Sequence, residues 1–137
     1  MFTKTKVRGR ENIPRKGPFI ITINHFSYVD PIFVIHAVQK PITFLAASDQ
    51  KIKWYFIWAP FIYGFIPTNR KVLAPSTIKH ATRALKSNEI LGVFPEGTST
   101  SSKLRPAKNG AAFLSALTES RMLPIGISGL ENIWKQL

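Results

Sequence analysis

Cysteine is absent from the 137-residue chain. That absence removes disulfides, thiolate nucleophiles and thiolate metal sites together, and it fits a reducing compartment. Acidic side chains are scarce: 7 Asp and Glu stand against 19 Lys and Arg, a formal net charge of +12. A partner carrying negative charge follows, whether a phosphate ester, an anionic lipid surface or nucleic acid. From Lys51 to Asn88 there is no acid at all. No apolar run reaches the roughly 18 to 20 residues that a membrane-spanning helix requires, and no secretory signal pattern opens the sequence. A membrane, if it is the partner, is met at its surface. A Gly-x-Ser-x-Gly elbow is also missing, so a serine nucleophile of that kind has no support.

What is present reads as one α/β domain. The length allows a single domain over 1–137, with 1–17 as a basic arm carrying Lys4, Lys6, Arg8, Arg10, Arg15 and Lys16 against Glu11. Such an arm is expected to be solvated and partly disordered. Apolar runs of strand length at 19–23, 42–46, 90–94 and 122–128 alternate with helical patterns at 31–38, 75–87 and 109–119. In the 75–87 stretch Ile78, Ala81 and Leu85 recur at helical spacing while Lys79, Arg83 and Lys86 face outward. The alternation predicts a mostly parallel central sheet flanked by helices. His36, among Ile, Val and Ala, reads as a packed core or boundary histidine.

The most informative stretch is Asn24-His25-Phe26-Ser27-Tyr28-Val29-Asp30-Pro31, which leaves the first strand. A residue before proline avoids the helical region, and proline is tolerated as the first residue of a helix. The helix is therefore expected to start at Pro31 with Asp30 as its N-cap. His25 would sit at a strand's carboxyl end, where open α/β sheets bind ligands. Two readings of Asp30 stand side by side: a cap, or a carboxylate that holds one imidazole nitrogen while the other faces substrate.

Seven of the sixteen aromatic residues fall between Trp54 and Phe65, beside Lys51 and Lys53. Tryptophan, tyrosine and lysine together suit the boundary between hydrocarbon and headgroups, whereas apolar residues on every side suit a buried helix. Both readings stay open.

Four separated stretches resemble the motifs of the glycerolipid acyltransferase family, the PlsC-like or 1-acylglycerol-3-phosphate acyltransferases. Asn24-His25 through Asp30 resembles the first block, Gly64-Phe65-Ile66-Pro67-Thr68-Asn69-Arg70 the second, Phe94-Pro95-Glu96-Gly97-Thr98 the third and Leu123-Pro124-Ile125 the fourth. They occur in the family's order. Ser99 departs from the pattern, because the third block usually continues with arginine, and this leaves the acceptor open. Family members also have more chain around these blocks, so the sequence is expected to be a fragment or a minimal version.

The resemblance implies a glycerol-3-phosphate acyltransferase-like fold and transfer of a fatty acyl group from acyl-CoA or acyl carrier protein to a hydroxyl of lysophosphatidic acid. Glycerol 3-phosphate or another lysophospholipid is the alternative acceptor. It implies no metal and no cofactor beyond the acyl thioester, and a peripheral place on the cytoplasmic face of a membrane, reached through Trp54 to Phe65. His25 is expected to act as base and Asp30 to fix its tautomer. Arg70 offers a planar fork to phosphate. Glu96 is expected to position the acceptor hydroxyl or a basic residue, with Gly97 and Thr98 letting backbone N–H groups approach phosphate. Pro124 is either part of the acyl site or a strand-edge proline. A non-catalytic basic membrane module is the competing reading, and nucleic-acid binding a third, for which no motif is present. Lys103 and Arg105 are placed to supply some of the charge missing at Ser99. Arg105→Ala is then expected to raise the acceptor KM in a steady-state assay, and an unchanged KM would remove Arg105 from the binding set.

Overall fold

A computed structural model describes residues 4–47, 64–69, 71–98 and 103–131. Its elements are a short 3-10 turn (Arg10–Asn12), then β1 (Phe19–Ile23), α1 (Asp30–Val38), β2 (Thr43–Ala47), β3 (Gly64–Thr68), α2 (Pro75–Lys86), β4 (Ile90–Val93), α3 (Gly110–Thr118) and β5 (Arg121–Ile125). The strands form one five-stranded sheet in the order β3-β2-β4-β1-β5. Every described pairing is parallel.

The centre of the sheet follows from the two purest apolar runs. All four residues of β4 are buried, and four of the five in β1. Strands covered on both faces need such continuous apolar sequence. Alternation then sorts the side chains. Ile20, Leu91 and Val93 pack on one face with Ala81, Ala84 and Leu85 of α2 and Ala111 and Leu114 of α3. Phe19, Ile21, Ile23 and Ile90 pack on the other with Phe44, Val34 and Val38. The result is three layers, helices on both sides of a parallel sheet. Each large side chain buried in this way stabilises the fold by about 1.5–3 kcal/mol.

The connections leave the two central strands in opposite directions. The chain from β1 passes over one face through α1 and reaches β2, whereas the chain from β4 passes over the other through α3 and reaches β5. A crevice therefore opens between the carboxyl ends of β1 and β4, the kind of switch point at which open α/β sheets bind ligands.

Several local expectations are corrected. Val29, not Asp30, occupies the N-cap of α1, with no side-chain cap. The second strand starts at Thr43 rather than residue 42, and the last ends at Ile125 rather than 128. The end of the aromatic stretch, Gly64 and Phe65, opens β3 as an edge strand with Phe65 exposed, while 54–63 lies outside the described residues. His36 is exposed, not packed. The basic arm is partly tied down: Ile13 packs against the core, and Lys40 Nζ donates to the Arg15 carbonyl at 2.9 Å.

One glycine decides how closely the layers meet. A β-carbon at Gly92 would lie 2.4 Å from the Phe44 ring and 3.0 Å from Ile42. The ring lies directly against the bare backbone of β4. Gly92→Ala is expected to overpack this face and lower stability by about 1–3 kcal/mol, measured as the shift in urea midpoint at constant slope. A midpoint at or above that of the parent chain would show that the ring can move away.

Candidate functional site

The loop between β1 and α1 is built around one carboxylate. Asp30 is fully buried, and its Oδ2 accepts the N–H groups of Phe26 at 2.6 Å and Ser27 at 2.9 Å. Its Oδ1 accepts the Ser27 hydroxyl at 3.2 Å. The bonds run backward into the loop instead of forward onto the helix, which is why Asp30 caps nothing. A buried carboxylate without such donors would be strongly destabilising, so the loop must close on it.

The same Oδ2 lies 2.9 Å from His25 Nδ1. A carboxylate only accepts, so the pair holds the neutral imidazole in its Nδ1–H form and puts the lone pair on Nε2. The ring is 4.2 Å from the Phe94 ring, centroid to centroid and tilted by 31°. Phe94 in turn stacks on Phe44 at 5.8 Å. The histidine is thus held at one edge by charge and across its face by an aromatic pair that reaches the core.

Two more side chains fix the backbone on either side of His25. Asn24 forms a closed pair with Ile127, its Nδ2 donating to the carbonyl at 2.8 Å and its Oδ1 accepting the N–H at 2.6 Å. The amide imitates one rung of a strand ladder and carries the β1–β5 pairing past the end of the strands. Glu96, buried after β4, accepts the N–H of His25 at Oε1 (3.0 Å) and the N–H of Arg105 at Oε2 (2.8 Å). Of the two roles expected of Glu96, positioning the acceptor hydroxyl or positioning a basic residue, the structure shows the second through the main chain: both oxygens accept N–H groups and join three stretches of backbone, that of Arg105 among them.

His25, Gly97 and Thr98 border a cavity of about 580 Å³ at the switch point. Its apolar wall includes Phe44, Leu45, Val72, Leu73 and Phe94. Its polar lining includes Lys71, Lys108, Asn69 and Asn109, and among the described residues that line it there is no carboxylate. The first residues of α3 also face it, and the first turn of that helix carries no acid. The positive end of the peptide dipoles therefore adds to the two lysines. The arrangement suits an amphiphile with an anionic head.

The remaining expected residues fall elsewhere. Arg105 is exposed and gives its backbone N–H to Glu96, and its side chain does not line the cavity. Pro124 is exposed on edge strand β5, paired with Thr22, and is not part of the lining, which is the strand-edge alternative. Arg70 and Ser99 lie outside the described residues. The sequence reading assigned no role to Asn24, Lys71 or Lys108, although Lys108 stands in the basic tract after the third block.

Comparison with known proteins agrees with this geometry. The profile of the Acyltransferase family matches residues 4–128. The chain is 32% identical over 126 residues to the 1-acyl-sn-glycerol-3-phosphate acyltransferase of Bacillus subtilis, covering 90% of this chain and 62% of that protein. It is 29% identical over 135 residues to the enzyme of the same name from Borreliella burgdorferi, covering 96% and 54%. The crystal structure of the 1-acyl-sn-glycerophosphate (LPA) acyltransferase PlsC from Thermotoga maritima superposes with a TM-score of 0.68 at 28% identity, covering 92% of this chain and 50% of that one. The chain spans between 50% and 62% of the length of these relatives.

The twofold acceptor role of Glu96 is open to test. Glutamine keeps the length but can offer an acceptor at only one end, leaving one N–H opposed by another donor. Glu96→Gln is expected to cost about 1–3 kcal/mol in urea unfolding. A variant as stable as the parent would mean that one of these two bonds is dispensable.

Proposed function

Because this chain belongs to the acyltransferase family, we propose that its cavity transfers a fatty acyl group from a thioester, acyl-CoA or acyl carrier protein, to a hydroxyl of lysophosphatidic acid. The observation that carries the proposal is the His25–Asp30 pair at the edge of a cavity that is apolar on one side and cationic on the other.

The chemistry follows from the charges. An alcohol at neutral pH is a poor nucleophile until its proton is taken during attack, and a positioned imidazole contributes about 10²–10⁴-fold by taking it. His25 Nε2 accepts that proton as the hydroxyl oxygen bonds to the thioester carbonyl carbon. The imidazolium formed is stabilised by the Asp30 carboxylate on Nδ1. When the tetrahedral intermediate collapses, the carbon–sulfur bond breaks and the proton passes from Nε2 to the leaving thiolate. Atoms and charge balance without a covalent acyl-enzyme. The apolar wall accommodates hydrocarbon, and the lysines hold the phosphate that orients the hydroxyl.

Both substrates carry acyl chains, so the reaction belongs at a lipid surface. Among the described residues no helix is long and apolar enough to cross a membrane. The reading places the protein at that surface through the aromatic stretch beginning at Trp54, whose Trp, Tyr and Lys residues suit the boundary between hydrocarbon and headgroups.

Purified protein is to be offered acyl-CoA or acyl carrier protein thioester, with lysophosphatidic acid, glycerol 3-phosphate and lysophosphatidylcholine as separate acceptors. Transfer to lysophosphatidic acid is expected, falling about 10²–10⁴-fold in His25→Ala while vesicle binding is kept. Vesicle binding without transfer to any acceptor would favour the non-catalytic membrane module.

A further inference from the structure

The helix α2 buries Thr77, Ala81, Ala84 and Leu85 against the sheet. Its opposite face is cationic. Lys79, Arg83 and Lys86 are all exposed, and their spacing of four and then three residues sets them in one row along the helix. Arg83 and Lys86 gain from the carboxyl end of the helix dipole, but Lys79 stands a turn too early to do so. Like charges at these spacings repel one another and weaken the helix. No acid offsets them: the sequence carries none between Lys51 and Asn88, and among the described residues none of the three takes part in an ion pair. An anionic surface laid along the row would relieve that repulsion.

The position of the row decides what can meet it. The strands β3 and β4 run parallel in one sheet, so α2 returns from the carboxyl end of β3 to the amino end of β4. Leu73, just before the helix, lines the cavity. From there the row leads away down the flank of the molecule, and Lys79 to Lys86 spans about 10 Å along the axis. A bilayer across the mouth of the cavity would meet only the near end. A folded acidic protein resting on the flank meets all three cations together. On the same side of the sheet α3 leaves Phe113 and Leu117, one turn apart, exposed, which is apolar surface that a folded partner can also cover.

We propose that the Lys79–Arg83–Lys86 face of α2 is the docking surface for an acidic acyl carrier protein, whose thioester arm then reaches over Leu73 into the cavity. The inference rests on the acyl-transfer reading and, of the two donors left open there, names the protein. The charge complementarity is of the kind that sets encounter rate and partner choice.

Binding of unacylated carrier protein tests the surface without turnover. The full chain and its Lys79→Glu/Arg83→Glu/Lys86→Glu variant are titrated with acyl carrier protein by calorimetry and with phosphatidylglycerol vesicles by co-sedimentation. The variant is expected to bind carrier protein roughly 3- to 100-fold more weakly, the range for losing three exposed ion pairs, and to bind vesicles as the parent does. In steady-state assays its KM for the carrier-protein thioester rises by a similar factor, while its kcat and its KM for acyl-CoA stay at the parent values. Unchanged carrier binding in the variant overturns the proposal, as does a parent chain that binds no carrier protein, a loss toward vesicles equal to that toward carrier protein, or an equal loss toward both donors. Should the variant fail to fold, Lys79→Gln/Arg83→Gln/Lys86→Gln, which removes the charges without reversing them, is put to the same tests with the same outcomes decisive. Carrier binding that the variant loses, in a protein whose parent chain transfers from neither donor, would keep the docking surface and overturn the acyl-transfer reading alone.

Discussion

Everything at the carboxyl end of this sheet is arranged around a carboxylate taken fully out of water. Burying an ionised group costs several kcal/mol unless it is matched by donors, and Asp30 is matched by two backbone N–H groups, a hydroxyl and an imidazole. Three of those donors come from the loop itself, so satisfying the charge and shaping the loop are one event. The fourth is the chemically useful one. The histidine is positioned by the same carboxylate oxygen that closes the loop.

The remaining contacts make that arrangement rigid. Asn24 fastens the residue before the histidine to the strand on one side, and Glu96 fastens the histidine's own N–H to the loop after the strand on the other. Phe94 covers the ring and leans on Phe44, which lies against Gly92 in the middle of the sheet. A continuous path of packed groups thus runs from the core of the fold to the reactive nitrogen. Sites held this way lose little in reorganisation when charge develops, which is the main source of catalytic stabilisation.

Much of this was legible in the chain before folding, and for identifiable reasons. The apolar runs of β1 and β4 announce central parallel strands because only such strands are buried on both faces. The histidine and the aspartate announce a pair through their spacing and the proline that follows. The direction of the aspartate's bonds was not legible: an Asp before Pro looks the same whether its oxygens reach forward to cap a helix or back to close a loop. Glu96 was only partly legible, for a related reason. Its partners lie 71 and 9 residues away, and nothing local distinguishes a carboxylate that meets main chain from one that meets substrate. Pro124 and Arg105 were drawn toward the site by their motif neighbourhood, whereas the topology leaves the one on an outer strand and uses only the backbone of the other.

The central claim is that the Asp30 carboxylate drives proton transfer at His25, by holding the Nδ1–H tautomer and by stabilising the imidazolium. Asparagine keeps the shape of the side chain but removes the charge, and with it the acceptor-only partner that holds the tautomer. The decisive measurement is the kcat of Asp30→Asn for acyl transfer to lysophosphatidic acid, taken on protein whose unfolding midpoint shows the fold intact. The account predicts a loss of up to about 10⁴-fold, as in other histidine–carboxylate pairs. A folded Asp30→Asn protein that turns over at the parent rate would contradict it.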